Sequence, residues 1–356
     1  MEFKDRSPIL IFFGVILLLV GVAMALLAPL ETYVFYLFSE GGRFHYEGFG
    51  FGSFMFANIA AQIVGYYLIA VVCLPLGYGH LTRRRWARTL SQALIGLWLV
   101  AGIPLMVAFM FVLMASKEVT LSLVLIVLIC LALSYAAVPV LLIRFYRSRD
   151  VRLTFEARDP RPNWLEDVPI PVLVVCGVLG LTIAVLQVLI LFNGVFPFFH
   201  VLIFELRGIE LIGLSVLILV GLIWGLLRLR CWAWWGSLVY WGYLTFSTIS
   251  ALSRYSLAGL LARMKFAPTE MDILDGIPIH GAHLAVLAGI PLLVTLGLLA
   301  YSRRYFRQAT RHKPYGRPAT DHPAWDTPAD GLHTQSSALL VGDVNWPARR
   351  HKKASR

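Results

Sequence analysis

The most regular feature of the sequence is a succession of long apolar runs, separated by short polar or basic segments. A helix needs about 20 consecutive apolar residues to cross the hydrocarbon core of a bilayer, which is about 30 Å thick. Runs of about this length lie near 8–29, 54–76, 92–115, 119–143, 170–192, 209–227, 233–252 and 282–301. The pattern predicts an all-α integral membrane protein with about eight transmembrane helices.

Two of these runs need an additional argument. The sixth and seventh runs are separated only by a short segment that contains Arg228 and Arg230. An arginine at the centre of a membrane helix costs about 2.5–3.5 kcal/mol, so a short turn is expected there rather than one longer helix. The first run follows Lys4 and Arg6, but it is longer than the apolar core of a signal peptide, about 7–15 residues. We therefore expect the first run to be retained as a membrane helix.

The positions of the basic residues predict the orientation. If the N-terminus is inside, most Lys and Arg residues fall in the inner loops and the C-terminal tail. The exceptions are Arg43, Lys117, Arg207, Arg254, Arg263 and Lys265. This positive-inside distribution predicts that both termini are cytoplasmic. The formal net charge of +11 then reflects topology and attraction to anionic lipid headgroups on the cytoplasmic side, and we expect no nucleic-acid partner.

Three short sequence matches occur in the same order in the two halves of the chain. Gly14-Val15 is echoed by Gly177-Val178, and Arg144-Phe-Tyr-Arg147 by Arg304-Tyr-Phe-Arg307. The longest match is between Gly79-His-Leu-Thr-Arg-Arg-Arg-Trp-Ala-Arg88 and Gly225-Leu-Leu-Arg-Leu-Arg-Cys-Trp-Ala-Trp234. These segments agree without gaps at Gly, Leu, one Arg, Trp and Ala. The matches predict a duplicated unit of four helices.

The duplication divides the chain into four parts. They are a first four-helix membrane repeat at 1–147, a cytoplasmic linker at 148–169, a second repeat at 170–307 and a cytoplasmic tail at 308–356. Because each unit has an even number of spans, the two repeats are predicted to be parallel, unlike the inverted repeats of many transporters. The tail is polar, basic and rich in proline, a composition typical of disordered segments.

Asp, Glu, Lys, Arg and His avoid the middle of every predicted span. Ion-coupled carriers usually place a carboxylate inside the bundle, and a membrane-bound b-type haem needs histidine ligands there. The four cysteines lie far apart, within or at the ends of apolar runs, and their spacing predicts neither a disulfide framework nor a metal site. We therefore expect no cofactor.

Uncharged polar and small residues do occur within the spans. Asn58 and Gln62 are one helical turn apart in the second span, and Tyr66 continues the same face. Two interpretations fit this stripe: a substrate path, or hydrogen bonds between neighbouring helices, which is the commoner use of such residues. Gly221 and Gly225 form a GxxxG pattern, which predicts close approach of the sixth helix to a neighbour.

Acidic and histidine residues come together in the last predicted outer loop. They are Glu270, Asp272, Asp275, His280 and His283. Carboxylates and imidazoles are suitable ligands for a divalent metal, but no motif such as HExxH fixes their geometry. A metal site in this loop is the less favoured interpretation.

A tryptophan and an arginine lie together at the inner end of the second span of each predicted repeat. Arg84 and Trp86 follow the second span, and Arg230 and Trp232 follow the sixth. Tryptophan is enriched at the level of the lipid headgroups and arginine on the cytoplasmic side of membranes. We therefore interpret both pairs as anchors to lipid headgroups.

These observations favour one class of function and leave another open. The favoured class is a non-catalytic scaffold or accessory subunit of a membrane assembly, with the lipid bilayer and other membrane proteins as its partners. The alternative is a permease or lipid-handling protein whose neutral or amphipathic substrate binds between the repeats, near Asn58 and Gln62. A membrane enzyme using the outer acidic loop is a more distant third. The expected location is a bacterial cytoplasmic membrane.

Overall fold

The computed structural model of the protein describes residues 4–45, 50, 53–115, 120–263 and 280–311. Most of these residues are helical. The α-helices are α1 (Ser7–Phe38), α2 (Phe54–Leu81), α3 (Arg85–Ala115), α4 (Leu121–Ala132), α5 (Val138–Arg147), α6 (Arg149–Arg158), α7 (Ile170–Leu191), α8 (Glu205–Leu227), α9 (Cys231–Leu252), α10 (Leu257–Arg263) and α11 (Gly281–Arg311). A π-helical segment, Leu133–Ala137, joins α4 to α5. Beyond Arg311, the predicted tail lies outside the described residues.

Seven helical segments are long and apolar enough to cross a membrane. They are Ser7–Phe38, Met55–Leu81, Arg85–Val107, Ser122–Arg147, Ile170–Leu191, Glu205–Leu227 and Gly281–Phe306. By length and composition, the chain is thus an α-helical integral membrane protein, as predicted. The predicted seventh span forms helix α9, but α9 is not among the seven, because its many Trp, Tyr, Ser and Thr residues lower its hydropathy. The count of eight stays a prediction.

Helices α1 and α2 pack closely through glycine. A Cβ atom added to Gly14 would lie 3.1 Å from the carbonyl oxygen of Gly77, and one added to Gly77 would lie 2.9 Å from the carbonyl oxygen of Gly14. At Gly21, a Cβ atom would lie 3.0 Å from the backbone nitrogen of Leu74. Glycine at these positions lets the two backbones touch, as small residues do between membrane helices.

Two groups of buried side chains hold the helices together. The first group joins α1, α2, α3, α5 and α6 through Leu10, Leu76, Ala87, Ile95, Tyr146, Val151 and Phe155. The second joins α3, α7, α8, α9 and α11 through residues that include Ala93, Val172, Leu219, Trp234 and Leu299. Helix α3 contributes to both groups, so it connects the two halves of the chain.

Helix α9 is joined to α11 by hydrogen bonds from its tryptophans. The indole N–H of Trp234 donates to the carbonyl oxygen of Leu299 at 2.9 Å, and that of Trp241 donates to Leu292 at 3.0 Å. A buried indole N–H usually needs a partner. The polar atoms of these two tryptophans are therefore satisfied inside the protein.

The segment predicted only as a polar linker contains regular structure. It forms α6 and a 3-10 turn at Trp164–Asp167. Val151 and Phe155 are one helical turn apart on α6, and both are fully buried in the first group of side chains. A pair of apolar residues among many charged ones is a weak sequence signal, which is why the helix was not predicted.

A short hairpin also escaped prediction. Strands β1 (Phe196–Phe198) and β2 (Val201–Ile203) pair antiparallel between α7 and α8. The backbone N–H of Phe199, in the turn, donates to the hydroxyl of Ser247 on α9 at 3.0 Å. This hydrogen bond fastens the hairpin to the helical bundle.

Candidate functional site

The first candidate region is the turn between α2 and α3, which carries the predicted anchors Arg84 and Trp86. Arg83 has a left-handed backbone with φ of 53°, and the N–H of Arg84 donates to the carbonyl oxygen of Gly79 at 2.8 Å. A Cβ atom on Gly79 would lie 2.7 Å from Cβ of Ala87 and 2.8 Å from the ring of Trp86. Glycine is therefore needed for α3 to fold back against the end of α2.

The turn between α8 and α9 has the same local structure. Leu229 has φ of 52°, and the N–H of Arg230 donates to the carbonyl oxygen of Gly225 at 3.0 Å. A Cβ atom on Gly225 would lie 2.5 Å from Cβ of Ala233 and 2.8 Å from the ring of Trp232. The residues shared by the two sequence segments are thus those that build the turn.

A polar cluster is enclosed beside the first turn. His80 is fully buried; its Nδ1 lies 2.8 Å from the carbonyl oxygen of Leu76, and its Nε2 lies 2.8 Å from the hydroxyl of Tyr146. A carbonyl oxygen can only accept, so Nδ1 carries the proton of the neutral imidazole and Nε2 accepts from the Tyr146 hydroxyl. This pair links α2 to α5.

Helices α3 and α6 complete the enclosure. The hydroxyl of Ser91 donates to the carbonyl oxygen of Ala87 at 2.7 Å and lies 3.3 Å from Nε2 of His80. The amide of Gln92 donates to the carbonyl oxygen of Tyr146 at 2.8 Å, and the ring of Phe155 packs edge-on against His80. In this arrangement the cluster holds four helices in place. The sequence shows His80 only as a histidine near a helix end, because Tyr146, which closes the cluster, lies 66 residues further along the chain.

The corresponding positions beside the second turn are almost entirely apolar. The sequence matches place Leu226 where the first half has His80, and Phe306 where it has Tyr146. Both are buried in the second group of side chains. Ser237 occupies the position of Ser91 and is also buried, and its hydroxyl has no hydrogen-bond partner among the described residues. The same backbone turn therefore accepts either a hydrogen-bonded or an apolar interior.

The basic residues of the first turn are paired with acidic residues that follow α5. Arg85 donates to Glu166 at 2.9 Å, and Arg84 lies 3.9 Å from Asp159. Glu156 lies 3.9 Å from Arg85 and accepts from Arg152 at 2.7 Å. The hydrogen bond from Arg152 holds the pKa of Glu156 below its usual value. Much of the positive charge of this region is thus neutralised within the protein.

The basic residues near the second turn have a different environment. Arg228, Arg230, Arg303 and Arg304, which we call the basic rim, are all exposed. None of the four forms an ion pair with another described residue. The surrounding segments, 227–235 and 300–311, contain neither Asp nor Glu. The positive charge of the rim is therefore uncompensated over the described part of the chain.

The two predicted headgroup anchors consequently differ. Arg84 is exposed but faces Asp159, and Trp86 is half-buried. Arg230 is exposed without an acidic partner in the described chain, and 53% of Trp232 is exposed. The pair in the second half is thus the more accessible of the two.

The predicted polar stripe lies along α2. Asn58 and Gln62 are exposed and Tyr66 is half-buried. The amide of Gln62 donates to the hydroxyl of Tyr66, and a Cβ atom on Gly65 would have no neighbour within 4 Å. Within the described chain, the side chain of Asn58 makes no hydrogen bond. The structure therefore joins two members of the stripe and leaves its face open.

The predicted metal ligands are only partly described. Glu270, Asp272 and Asp275 lie outside the described residues. His280 and His283 lie at the start of α11, where the backbone N–H of His280 donates to Nδ1 of His283 at 3.1 Å and the ring centroids are 5.6 Å apart. Among the described residues, no group of three or more His, Cys, Asp or Glu could hold a metal ion. The metal site stays a prediction.

Comparison with known protein families, with characterised proteins and with solved structures finds no match to this chain.

Proposed function

We propose that the protein is a non-catalytic scaffold or accessory subunit of an assembly in a cytoplasmic membrane. Its framework consists of two parallel repeats of four spans, with α9 as the seventh span and both termini inside. The two matching turns support the duplication, because the aligned residues Arg83 and Leu229 both have left-handed backbones and the aligned glycines make the same close contacts with tryptophan and alanine. The tryptophan hydrogen bonds from α9 to α11 support an intramembrane position for α9.

The exposed amides of α2 carry the proposal. Helix α2 has 28 residues and is about 42 Å long, about 12 Å longer than the hydrocarbon core, so we expect Gln62, about 12 Å from its start, to lie at or inside the edge of that core. Lipid tails offer no hydrogen bonds, and an amide without a partner there is costly. Side-chain hydrogen bonds between membrane helices contribute about 0.6–2 kcal/mol each. A helix of a partner protein, packed against Asn58 and Gln62, would supply hydrogen bonds to the amide of Asn58 and to the side-chain carbonyl oxygen of Gln62, whose NH2 group already donates to Tyr66.

The test is to extract the protein gently from its own membrane and to measure the mass of the complex by native mass spectrometry. We expect a stoichiometric membrane protein partner. The double variant Asn58→Leu/Gln62→Leu should lose that partner, since it removes the amides and keeps the face apolar. The matched control is Val71→Leu/Val72→Leu, which changes exposed apolar residues of the same helix and should retain the partner.

Two outcomes would contradict the proposal. One is a partner retained equally by the amide variant and the control. The other is a native protein that has no partner and instead carries a bound solute between its halves, which would favour the permease. A cryo-EM map of the same preparation distinguishes these cases.

A further inference from the structure

The arginines of the two turns differ in whether they have acidic neighbours. This difference points to a second binding site, which is independent of the partner surface on α2. The turn after α2 has its arginines close to Asp159, Glu156 and Glu166. The basic rim has no acidic neighbour within its own segments. Exposed guanidinium groups that lack a carboxylate partner are free to bind an anion. The first turn thus has Arg84 and Arg85 beside carboxylates, whereas the basic rim has no carboxylate partner among the described residues.

Aromatic rings position the guanidinium groups of the rim. The guanidinium of Arg228 lies 4.3 Å from the ring centroid of Trp224, and that of Arg303 lies 5.6 Å from the ring of Trp234. Cation–π contacts of this length are attractive. They restrict the arginines and leave their N–H groups available, which lowers the entropic cost of binding.

The rim residues meet at one end of the bundle. Arg230 directly precedes α9, and Cys231 contacts the carbonyl oxygen of Phe306 on α11 at 3.8 Å. Arg303 and Arg304 lie within one turn of Phe306. Arg304 also donates to the hydroxyl of Tyr305 at 2.8 Å. The guanidinium of Arg303 on α11 also lies 5.9 Å from the ring centroid of Trp235 on α9, so it sits beside the first turns of α9, which Arg230 directly precedes.

We infer that the basic rim is a binding site for a phosphate group. Arginine provides the planar donors that match phosphate oxygens, often two at a time. Exposed tryptophan and tyrosine at the same surface, such as Trp232, Trp235 and Tyr301, are typical of the interface between membrane and water. The phosphate can come from an anionic lipid headgroup or from free phosphate, and the experiment distinguishes these sources.

The experiment titrates the purified full-length protein in neutral detergent with phosphatidylglycerol, with phosphatidylcholine and with inorganic phosphate, and counts bound molecules by native mass spectrometry. The variant is Arg230→Gln/Arg303→Gln. The matched control is Arg149→Gln/Arg158→Gln, which removes the same charge from exposed positions of α6. Thermal unfolding of all three proteins verifies that they are folded.

We expect saturable binding of phosphatidylglycerol, and we expect the rim variant to bind it about thirtyfold more weakly. Each basic residue near an anionic headgroup contributes about 1 kcal/mol, and the variant removes two of them. The control should bind like the unchanged protein. Displacement of the lipid by inorganic phosphate at equal concentration would assign the site to free phosphate, and retention of the lipid would assign it to a headgroup. Equal weakening in variant and control, or no saturable binding of either ligand, would overturn the inference.

Discussion

At the scale of single residues, the informative contrast is between His80 with Tyr146 and Leu226 with Phe306. Both pairs are buried beside turns of the same conformation. Since the second turn forms around Leu and Phe, a hydrogen-bonded interior is not required to build it. The polar pair therefore contributes through its hydrogen bond, and its two members depend on each other.

This dependence predicts a non-additive pair of substitutions. His80→Leu alone leaves the buried hydroxyl of Tyr146 without its acceptor and should lower the free energy of unfolding by about 1–3 kcal/mol. Adding Tyr146→Phe reproduces the interior of the second turn and should recover most of that loss. The measurement is a double-mutant cycle from equilibrium unfolding in detergent micelles. Additive losses, with the double variant the least stable, would contradict the coupling.

At the scale of elements, the apolar runs predicted where the long helices lie, but they did not predict the full lengths of these helices or the presence of α6. The helix Phe54–Leu81 begins at the predicted residue and extends beyond the predicted span, because a helix continues past the lipid core. Helix α6 was missed because its only fully buried apolar side chains are Val151 and Phe155. Their burial depends on helices distant in sequence, as does that of His80, and periodicity within one segment does not report such contacts.

The GxxxG pattern of α8 is used at one of its two glycines within this chain. Gly225 packs closely against Trp232 and Ala233 in the first turn of the next helix, α9. A Cβ atom on Gly221 would have no neighbour within 4 Å. The spacing of the two glycines matched the motif by sequence alone, whereas the use of Gly225 depends on the direction in which α9 leaves the turn.

The glycines give a prediction at this scale with a control in the same helix. Gly79→Ala and Gly225→Ala should each destabilise the protein by about 1–3 kcal/mol, because the added methyl group overlaps a packed alanine. Gly221→Ala should be neutral or stabilising by up to about 1 kcal/mol, since alanine favours the helix. Thermal unfolding followed by tryptophan fluorescence provides the comparison. A Gly221→Ala variant as unstable as the other two would refute this account.

At the scale of the whole molecule, the proposal of eight spans depends on helix α9 crossing the membrane. Its composition is too polar for hydropathy alone to identify a span, yet Trp234 and Trp241 place their N–H groups on carbonyl oxygens of α11. These two side chains are satisfied in a way compatible with a membrane interior, whereas the buried hydroxyls of Ser237, Tyr240 and Tyr243 on the same helix have no partner among the described residues. A hydropathy value depends only on residue types. The cost of placing a helix in the membrane depends also on which of its polar groups lack a hydrogen bond.

Site-directed labelling settles this topology. In a variant without native cysteines, single cysteines at Arg158, His200, Arg228 and Ser253 are treated with a membrane-impermeant maleimide in right-side-out vesicles. With eight spans, the cysteines at positions 200 and 253 should be labelled from outside, and those at 158 and 228 only after the membrane is opened. Positions 158 and 200 flank α7 and serve as the reference pair. If 228 and 253 react from the same side, α9 does not cross.

The glycine contact between α1 and α2 bears on how the protein is made. These two helices leave the ribosome before α3 to α11, and the backbones at Gly14 and Gly77 touch without help from any later segment. The pair can therefore close as a hairpin in the insertion machinery and enter the lipid as one unit. Helix α3 then packs against this pair and also against the later helices, since it contributes buried side chains to both groups. A bulky residue at Gly14 would thus disturb biogenesis before it disturbed the finished bundle.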